Sequence, residues 1–146
     1  MVFVIEKIQE SHFEELISLF HEFANFEKLP EKMTNSAEQM MREKDFLLGF
    51  VAKDKNNKIA GYVTFFFAYY TWIGKSLYMD DLYIRQQYRG KGLGTILINK
   101  AISFAKESDC NKLRWQVSNW NNHAIKFYES LGATIDDVEM NCDLIL

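Results

Sequence analysis

The stretch Leu77 to Thr95, LYMDDLYIRQQYRGKGLGT, joins a strand to an amphipathic helix through a short loop carrying Gly90, Gly92 and Gly94. Backbone N–H groups at such a turn point outward without partners, and the helix dipole adds a partial positive charge. Together they make a cradle for a phosphate or pyrophosphate. Glycines let the anion reach the backbone with no side chain in the way. Two familiar phosphate loops do not fit. A Walker loop needs Gly-Lys-Ser/Thr after four intervening residues, whereas Gly90-Lys91 is followed by Gly92. A Rossmann fingerprint follows an early strand, and this strand is the fourth. The pattern that remains is Gln-x-x-Gly-x-Gly, filled by Gln87, Gly90 and Gly92. Just upstream lie two adjacent carboxylates, Asp80 and Asp81, and further on Tyr128 occupies a helix at core spacing with Ala124 and Leu131.

Ordinary elements must hold these residues. Val2 to Lys7 alternates and favours a strand; Ser11 with Glu14 reads as a capping box for a helix running to about Asn25. Asn35 with Glu38 starts a second helix. Phe46 to Lys53 and Lys58 to Tyr70 flank the turn Asp54-Lys55-Asn56-Asn57 and form a hairpin. Ser76 to Ile84 is the next strand, and the glycine loop opens a helix with the stripe Leu93, Leu97, Ile98, Ala101, Ile102 and Phe104. Asn111 to Val117 predicts a strand, and Asn121 to Leu131 a helix stopped by Gly132. Ala133 to Leu146 predicts one or two strands. The order β-α-α-β-β-β-α-β-α-β implies a mixed, mostly antiparallel central sheet flanked by helices, at the border of α/β and α+β.

The 146 residues fit one domain, 1–146, and with 48% hydrophobic residues they can build a proper core. The net charge of −3 and the absence of a basic run argue against a nucleic-acid partner. The apolar run Gly61 to Gly74 spans about 14 residues, short of the roughly 20 of a membrane helix. The start, MVFVIEKI, lacks the basic stretch and apolar core of a secretory signal, so a cytoplasmic location is expected. Cys110 and Cys142 have no metal-ligand spacing and read as reduced thiols; His12, His21 and His123 do not cluster, and no metal is expected.

Gln87-x-x-Gly90-x-Gly92, placed after the fourth strand and followed by NWNNHAIKFYESLGA (Asn119 to Ala133), resembles the acyl-CoA pyrophosphate loop of the GNAT superfamily of N-acetyltransferases. Within it the chain looks most similar to the spermidine/spermine (diamine) and thialysine acetyltransferases. The resemblance rests on Glu22-Phe23-Ala24-Asn25-Phe26-Glu27, Trp72-Ile73-Gly74-Lys75, Leu77 to Asp81, Trp120-Asn121 and Phe127-Tyr128.

The resemblance implies acetyl-CoA as co-substrate and transfer of its acetyl group to a primary amine by direct attack. A small diamine, polyamine or lysine-like amine is the expected acceptor. A peptide acceptor and a non-catalytic acyl-CoA-binding module are the alternatives. It implies that the backbone of Arg89, Gly90, Lys91, Gly92, Leu93, Gly94 and Thr95 anchors the pyrophosphate beside Gln87. Leu82, Tyr83 and Ile84 would pair with the pantetheine arm, and Asn121 to Ala124 would line its other side. Asp80 stands where diamine acetyltransferases place a glutamate that helps deprotonate the amine. Strand alternation would put Asp80 and Asp81 on opposite faces, so that only one can face the amine. Tyr128 matches the tyrosine that protonates the departing thiolate; otherwise it is a core aromatic. Glu27 and Trp72 would border the amine pocket, by charge and by cation–π contact. A homodimer is also implied. There are two departures. Tyr70-Thr71 replaces the acidic residue that polyamine enzymes carry before Trp-Ile-Gly-Lys, and the short tail matches family acids only loosely, at Asp136, Asp137 or Glu139.

Overall fold

Five strands form one sheet in chain order: β1 (Val4–Lys7), β2 (Leu48–Lys53), β3 (Ile59–Tyr70), β4 (Gly74–Ile84) and β5 (Leu113–Arg114). The first four pair antiparallel, and β4 pairs parallel with β5. The helices are α1 (Phe13–Phe26), α2 (Ala37–Arg42), α3 (Leu93–Glu107) and α4 (Asn122–Ser130). This is the expected mixed, mostly antiparallel sheet with flanking helices. The structure, a computed structural model, describes residues 2–146 in two compact units, one ending at Gln116 and the other Val117–Leu146.

Period-2 alternation on β2, β3 and β4 sends side chains to two faces. On one, Val51, Tyr62 and Tyr83 pack with Phe13, Leu16 and Leu19 of α1 and Met40 of α2. On the other, Phe50 and Phe65 meet Phe104 of α3, with ring centroids 6.4 and 4.8 Å apart. Leu16, Leu19, Leu97 and Ile98 are fully buried. Each such side chain contributes about 1.5–3 kcal/mol relative to exposure, so the two layers hold the sheet from both sides.

Several local expectations are corrected. The reciprocal capping pair is Gln9 with His12, not Ser11 with Glu14: the Gln9 N–H donates to His12 Nδ1 (3.1 Å), and a short 3-10 turn, Glu10–His12, precedes α1. The α2 cap is Ser36, whose hydroxyl accepts the Gln39 N–H (3.1 Å); Asn35 sits one residue too early. The strand expected over Asn111 to Val117 shrinks to Leu113–Arg114. Residues 133–146 contain no strand. A strand needs a neighbour's edge, and the one regular element of the unit Val117–Leu146 is α4.

Candidate active site

The ladder between β3 and β4 contains one irregularity, and it falls on the carboxylates. From the turn upward Tyr70 pairs with Gly74 and Phe65 with Met79; beyond that Thr64 pairs with Asp81 and Tyr62 with Tyr83. Asp80 is the extra residue of a β-bulge. Met79 shares the α3 face with its partner Phe65, so alternation carries Tyr78 and Asp80 to the α1 face. Above the bulge, Tyr83 belongs to the α1 core, and alternation returns Asp81 to that same face. The expectation that the two carboxylates oppose each other is therefore overturned, because the inserted residue cancels one step of alternation.

A bulge strands a backbone N–H, and here the Thr64 hydroxyl takes it: Asp81 N–H donates to Thr64 Oγ1 (3.2 Å). The Tyr62 phenol, fully buried, donates to Asp81 Oδ2 (2.9 Å). Burial pushes the Asp81 carboxyl up to about 7, with Asp80 and then Glu27 adding like charge, while the Tyr62 bond pulls the other way. Loss of hydration raises the Asp80 carboxyl too. A general base tuned toward neutrality suits proton abstraction near pH 7. Glu27, at the C-cap of α1, thus belongs to this carboxylate group through its field. Trp72 does not. It is fully exposed in the β3–β4 turn, and the run of β4 from Gly74 up to Asp80 separates it from the carboxylates by roughly 20 Å.

β5 pairs with β4 only at Leu77 and Tyr78. Among the described residues no strand pairs with the β4 edge away from β3 over Leu82, Tyr83 and Ile84. Beyond Ile84 a 3-10 turn, Gln86–Tyr88, places Gln87 at the surface and leads into the glycine loop. Tyr88 ties this turn to the β2–β3 hairpin: its hydroxyl donates to Asp54 Oδ2 (2.6 Å), which holds the Asp54 carboxyl low. Gly90 and Gly92 both have φ of +77°, and a Cβ at either would meet no protein atom within 4 Å. Gly92 is the N-cap of α3 and offers no side-chain cap; no acidic residue occupies the first turn. The first helical bond is Ile96 N–H to Gly92 O (3.2 Å), so the N–H groups of Leu93, Gly94 and Thr95 have no partner within the helix. One member of the expected cradle is corrected: the Arg89 N–H is already bonded to Gln86 O (3.2 Å). Its guanidinium lies over the rings of Phe26 and Tyr83, and its Nε donates to Ile84 O (2.9 Å).

In the unit Val117–Leu146, Asn121 caps α4, its Oδ1 accepting the Ala124 N–H (3.2 Å). Tyr128 is buried on that helix, its ring 5.5 Å from that of Phe127. Asn121 thus fixes the start of the helix that carries Tyr128. Among the described residues no group of three His, Cys, Asp or Glu side chains could hold a metal ion, and no helix is long and apolar enough to cross a membrane. Tyr62 and Thr64 were not singled out in the sequence; their signal is their i, i+2 spacing on β3 opposite the carboxylates.

A family model described as the acetyltransferase (GNAT) family matches residues 12–133. Thialysine N-epsilon-acetyltransferase of Caenorhabditis elegans is 38% identical over 131 residues, covering 88% of this chain and 81% of that protein. Its Mus musculus counterpart is 32% identical over 140 residues, covering 88% and 82%. Among solved structures, an aminoglycoside acetyltransferase from an uncultured soil metagenomic sample superposes with a TM-score of 0.80 at 21% identity, covering 99% of this chain and 96% of that one. That likeness is one of fold. Family membership implies acetyl-CoA as the co-substrate, which the open glycine loop and the uncapped first turn of α3 fit. The chain belongs to the acetyltransferase (GNAT) family, and it is an N-acetyltransferase.

Proposed function

We propose that the protein acetylates a small primary amine, a diamine, polyamine or lysine-like compound, as one catalytic domain over 1–146. The observation that carries this reading is the bulge that brings Asp80 and Asp81 to one face, with Glu27 adding its charge at Asp81. An aliphatic ammonium, with a pKa near ~10.4 in water, is attracted by such a group and must lose a proton to it before attacking. The relatives named for thialysine support the lysine-like acceptor.

Acetyl-CoA supplies an acyl group on a thioester that a neutral amine can attack. Gly90 to Thr95 hold its pyrophosphate through backbone N–H groups, with Gln87 at the loop's approach, and Arg89 braces the loop through Ile84 O. Leu82 to Ile84 offer a free strand edge to the pantetheine arm, and the family resemblance gives Asn121 and Ala124 as further cofactor contacts. The Asp80 carboxylate accepts the ammonium proton. Tyr128 donates its phenolic proton to the departing sulfur, the role the family resemblance gives it, from a side chain that is buried on α4. The net charge of −3 supports a cationic small molecule over nucleic acid as partner. A cytoplasmic homodimer completes the reading, on the family resemblance.

The test is a thiol-release assay with acetyl-CoA against polyamines, lysine analogues, amino acids and short peptides. Turnover on a small diamine or lysine-like amine, lost by roughly 10²-fold or more in Asp80→Asn, is expected. Turnover confined to peptides, or acetyl-CoA binding without transfer, would overturn the small-amine reading.

A further inference from the structure

The bulge leaves one feature that the proposed chemistry does not use. Two side chains of β3, both on the α1 face, grip Asp81 at both ends. Thr64 accepts its backbone N–H (3.2 Å), and Tyr62 donates to its carboxylate (2.9 Å). Both are buried, Tyr62 completely. The Tyr62 ring is itself wedged by Phe20 at 5.1 Å and Tyr83 at 6.2 Å between centroids, so the phenol has one direction in which to point. A hydroxyl delivered this deep to a carboxylate does not add solubility, and a phenylalanine would fill the same core space. What it does is choose one orientation for Asp81 beside Asp80.

We propose that Tyr62 is a positioning residue: its phenol locks the Asp81 carboxylate next to Asp80, so that the acceptor ammonium is received by two carboxylates and not by one. The inference rests on the amine-acetyltransferase reading and deepens it. An ammonium carries three N–H donors. One can be surrendered to Asp80 while a second stays bonded to Asp81, which keeps the nitrogen aimed as it loses its charge. The groups acting on Asp81 are Tyr62 from β3, Asp80 from β4 and Glu27 from the end of α1, and Tyr83 lies against the Tyr62 ring. Behind Tyr83 stand Glu22, Arg85 and Arg89. The Tyr83 hydroxyl donates to Glu22 (3.3 Å), Arg85 pairs with Glu22 (2.9 Å), and the Arg89 guanidinium lies over the Tyr83 ring. Those two cations are occupied with Glu22 and with rings, which leaves Tyr62 as the donor bonded to the Asp81 side chain.

Tyr62→Phe removes that donor and keeps the ring. Because the hydrogen bond favours the ionised carboxylate, its loss raises the Asp81 titration, and the acidic limb of kcat/KM for the amine moves up by roughly one pH unit. KM for acetyl-CoA stays where it is. Asp81→Asn retains an acceptor for Tyr62 but removes the charge. It raises KM for the amine roughly tenfold, again sparing acetyl-CoA. A carbon-13 carboxyl titration of Asp81 in wild type and Tyr62→Phe supplies a readout independent of turnover. An upward midpoint shift together with the moved limb establishes the role. An unmoved limb and midpoint in a folded Tyr62→Phe overturns it. If Tyr62→Phe does not fold, Asp81→Asn decides: an unchanged amine KM overturns the two-carboxylate receptor, and a raised one sustains it. Should the wild type transfer acetyl to no amine, the functional reading fails instead, and the carboxyl titration still decides whether Tyr62 sets Asp81.

Discussion

Replacing Gly92 with alanine asks how much of the proposed acetyl-CoA site is conformational. The residue caps α3 with φ of +77°, and its Cβ would touch nothing within 4 Å, so no steric clash enters. The whole effect is the left-handed backbone, which costs an L-residue roughly 1–2 kcal/mol. That energy has two places to appear. If the alanine keeps the left-handed turn, the fold loses it, and Tm falls by about 3–6 °C for a chain of this size. If the alanine relaxes, the fold is spared. The N–H groups of Leu93, Gly94 and Thr95 are then re-aimed, and binding must restore the turn, which weakens CoA affinity roughly 5- to 30-fold. The two losses, expressed in energy, should add to the same total of roughly 1–2 kcal/mol. Calorimetric titration with CoA and thermal unfolding of the same preparation measure both. A Gly92→Ala protein with wild-type Tm and wild-type CoA affinity would refute the reasoning, since the strain would then have gone nowhere.

Gly49→Ala is the contrasting glycine: its Cβ would come within 2.1 Å of Val63 O, a backbone atom of the paired strand, so β2 and β3 must separate. We expect a protein that expresses poorly or melts far below wild type, checked by circular dichroism. Tyr128→Phe should lower kcat strongly while CoA binding persists, read by thiol release and calorimetry; unchanged turnover would remove Tyr128 from the acid role. Asp81→Asn bears on stability as well as on KM. A carboxyl raised to about 7 in the fold from an ordinary value of 3.8 stabilises the fold most below that lower value, and this contribution is lost as pH rises through about 7. The asparagine does not ionise, so the variant should gain Tm relative to wild type as pH rises from about 4 to about 7, and hold that gain above it. A difference that stays flat over that range would show Asp81 to be ionised without penalty, and one that shrinks would show the ionised form to be favoured by the fold.

Much of the site was legible in the sequence because it lies on regular elements interrupted by glycine. The Gln87-x-x-Gly90-x-Gly92 loop announces itself by composition, and the stripe from Leu93 to Phe104 fixes the helix that follows. The same alternation that located β4 misled at Asp80. Continuing the register set where Tyr70 meets Gly74 would put Thr64 opposite Asp80 and Tyr62 opposite Leu82. The bulge moves each partner by one, to Asp81 and Tyr83. Nothing in the residue types of that stretch marks the insertion, since aspartate is ordinary at either position. The capping errors have a different origin. Ser11 and Glu14 have the right chemistry, but the chain enters α1 through a 3-10 turn, and a side chain of Gln9 reaches the cap position first.

The bulge, the short β5 and the left-handed glycines belong to one design constraint. A regular sheet has every backbone group bonded to a neighbour and every second side chain turned away, and such a surface has nothing to offer a substrate. Binding a thioester arm needs a free strand edge, which exists here because β5 leaves β4 after Tyr78. Receiving an ammonium needs adjacent carboxylates on one face, which alternation forbids and the extra residue at Asp80 permits. Holding a pyrophosphate needs N–H groups without partners, which the left-handed Gly90 and Gly92 and the uncapped start of α3 provide. The bulge and the glycine loop are each followed by a repair: Thr64 for the stranded N–H and Tyr62 for the Asp81 carboxylate at the bulge, Asp54 with Tyr88 for the loop. The repairs at the bulge support the proposed site as much as its reactive groups do, because a defect with no use would not be held in place by the buried hydroxyls of Tyr62 and Thr64.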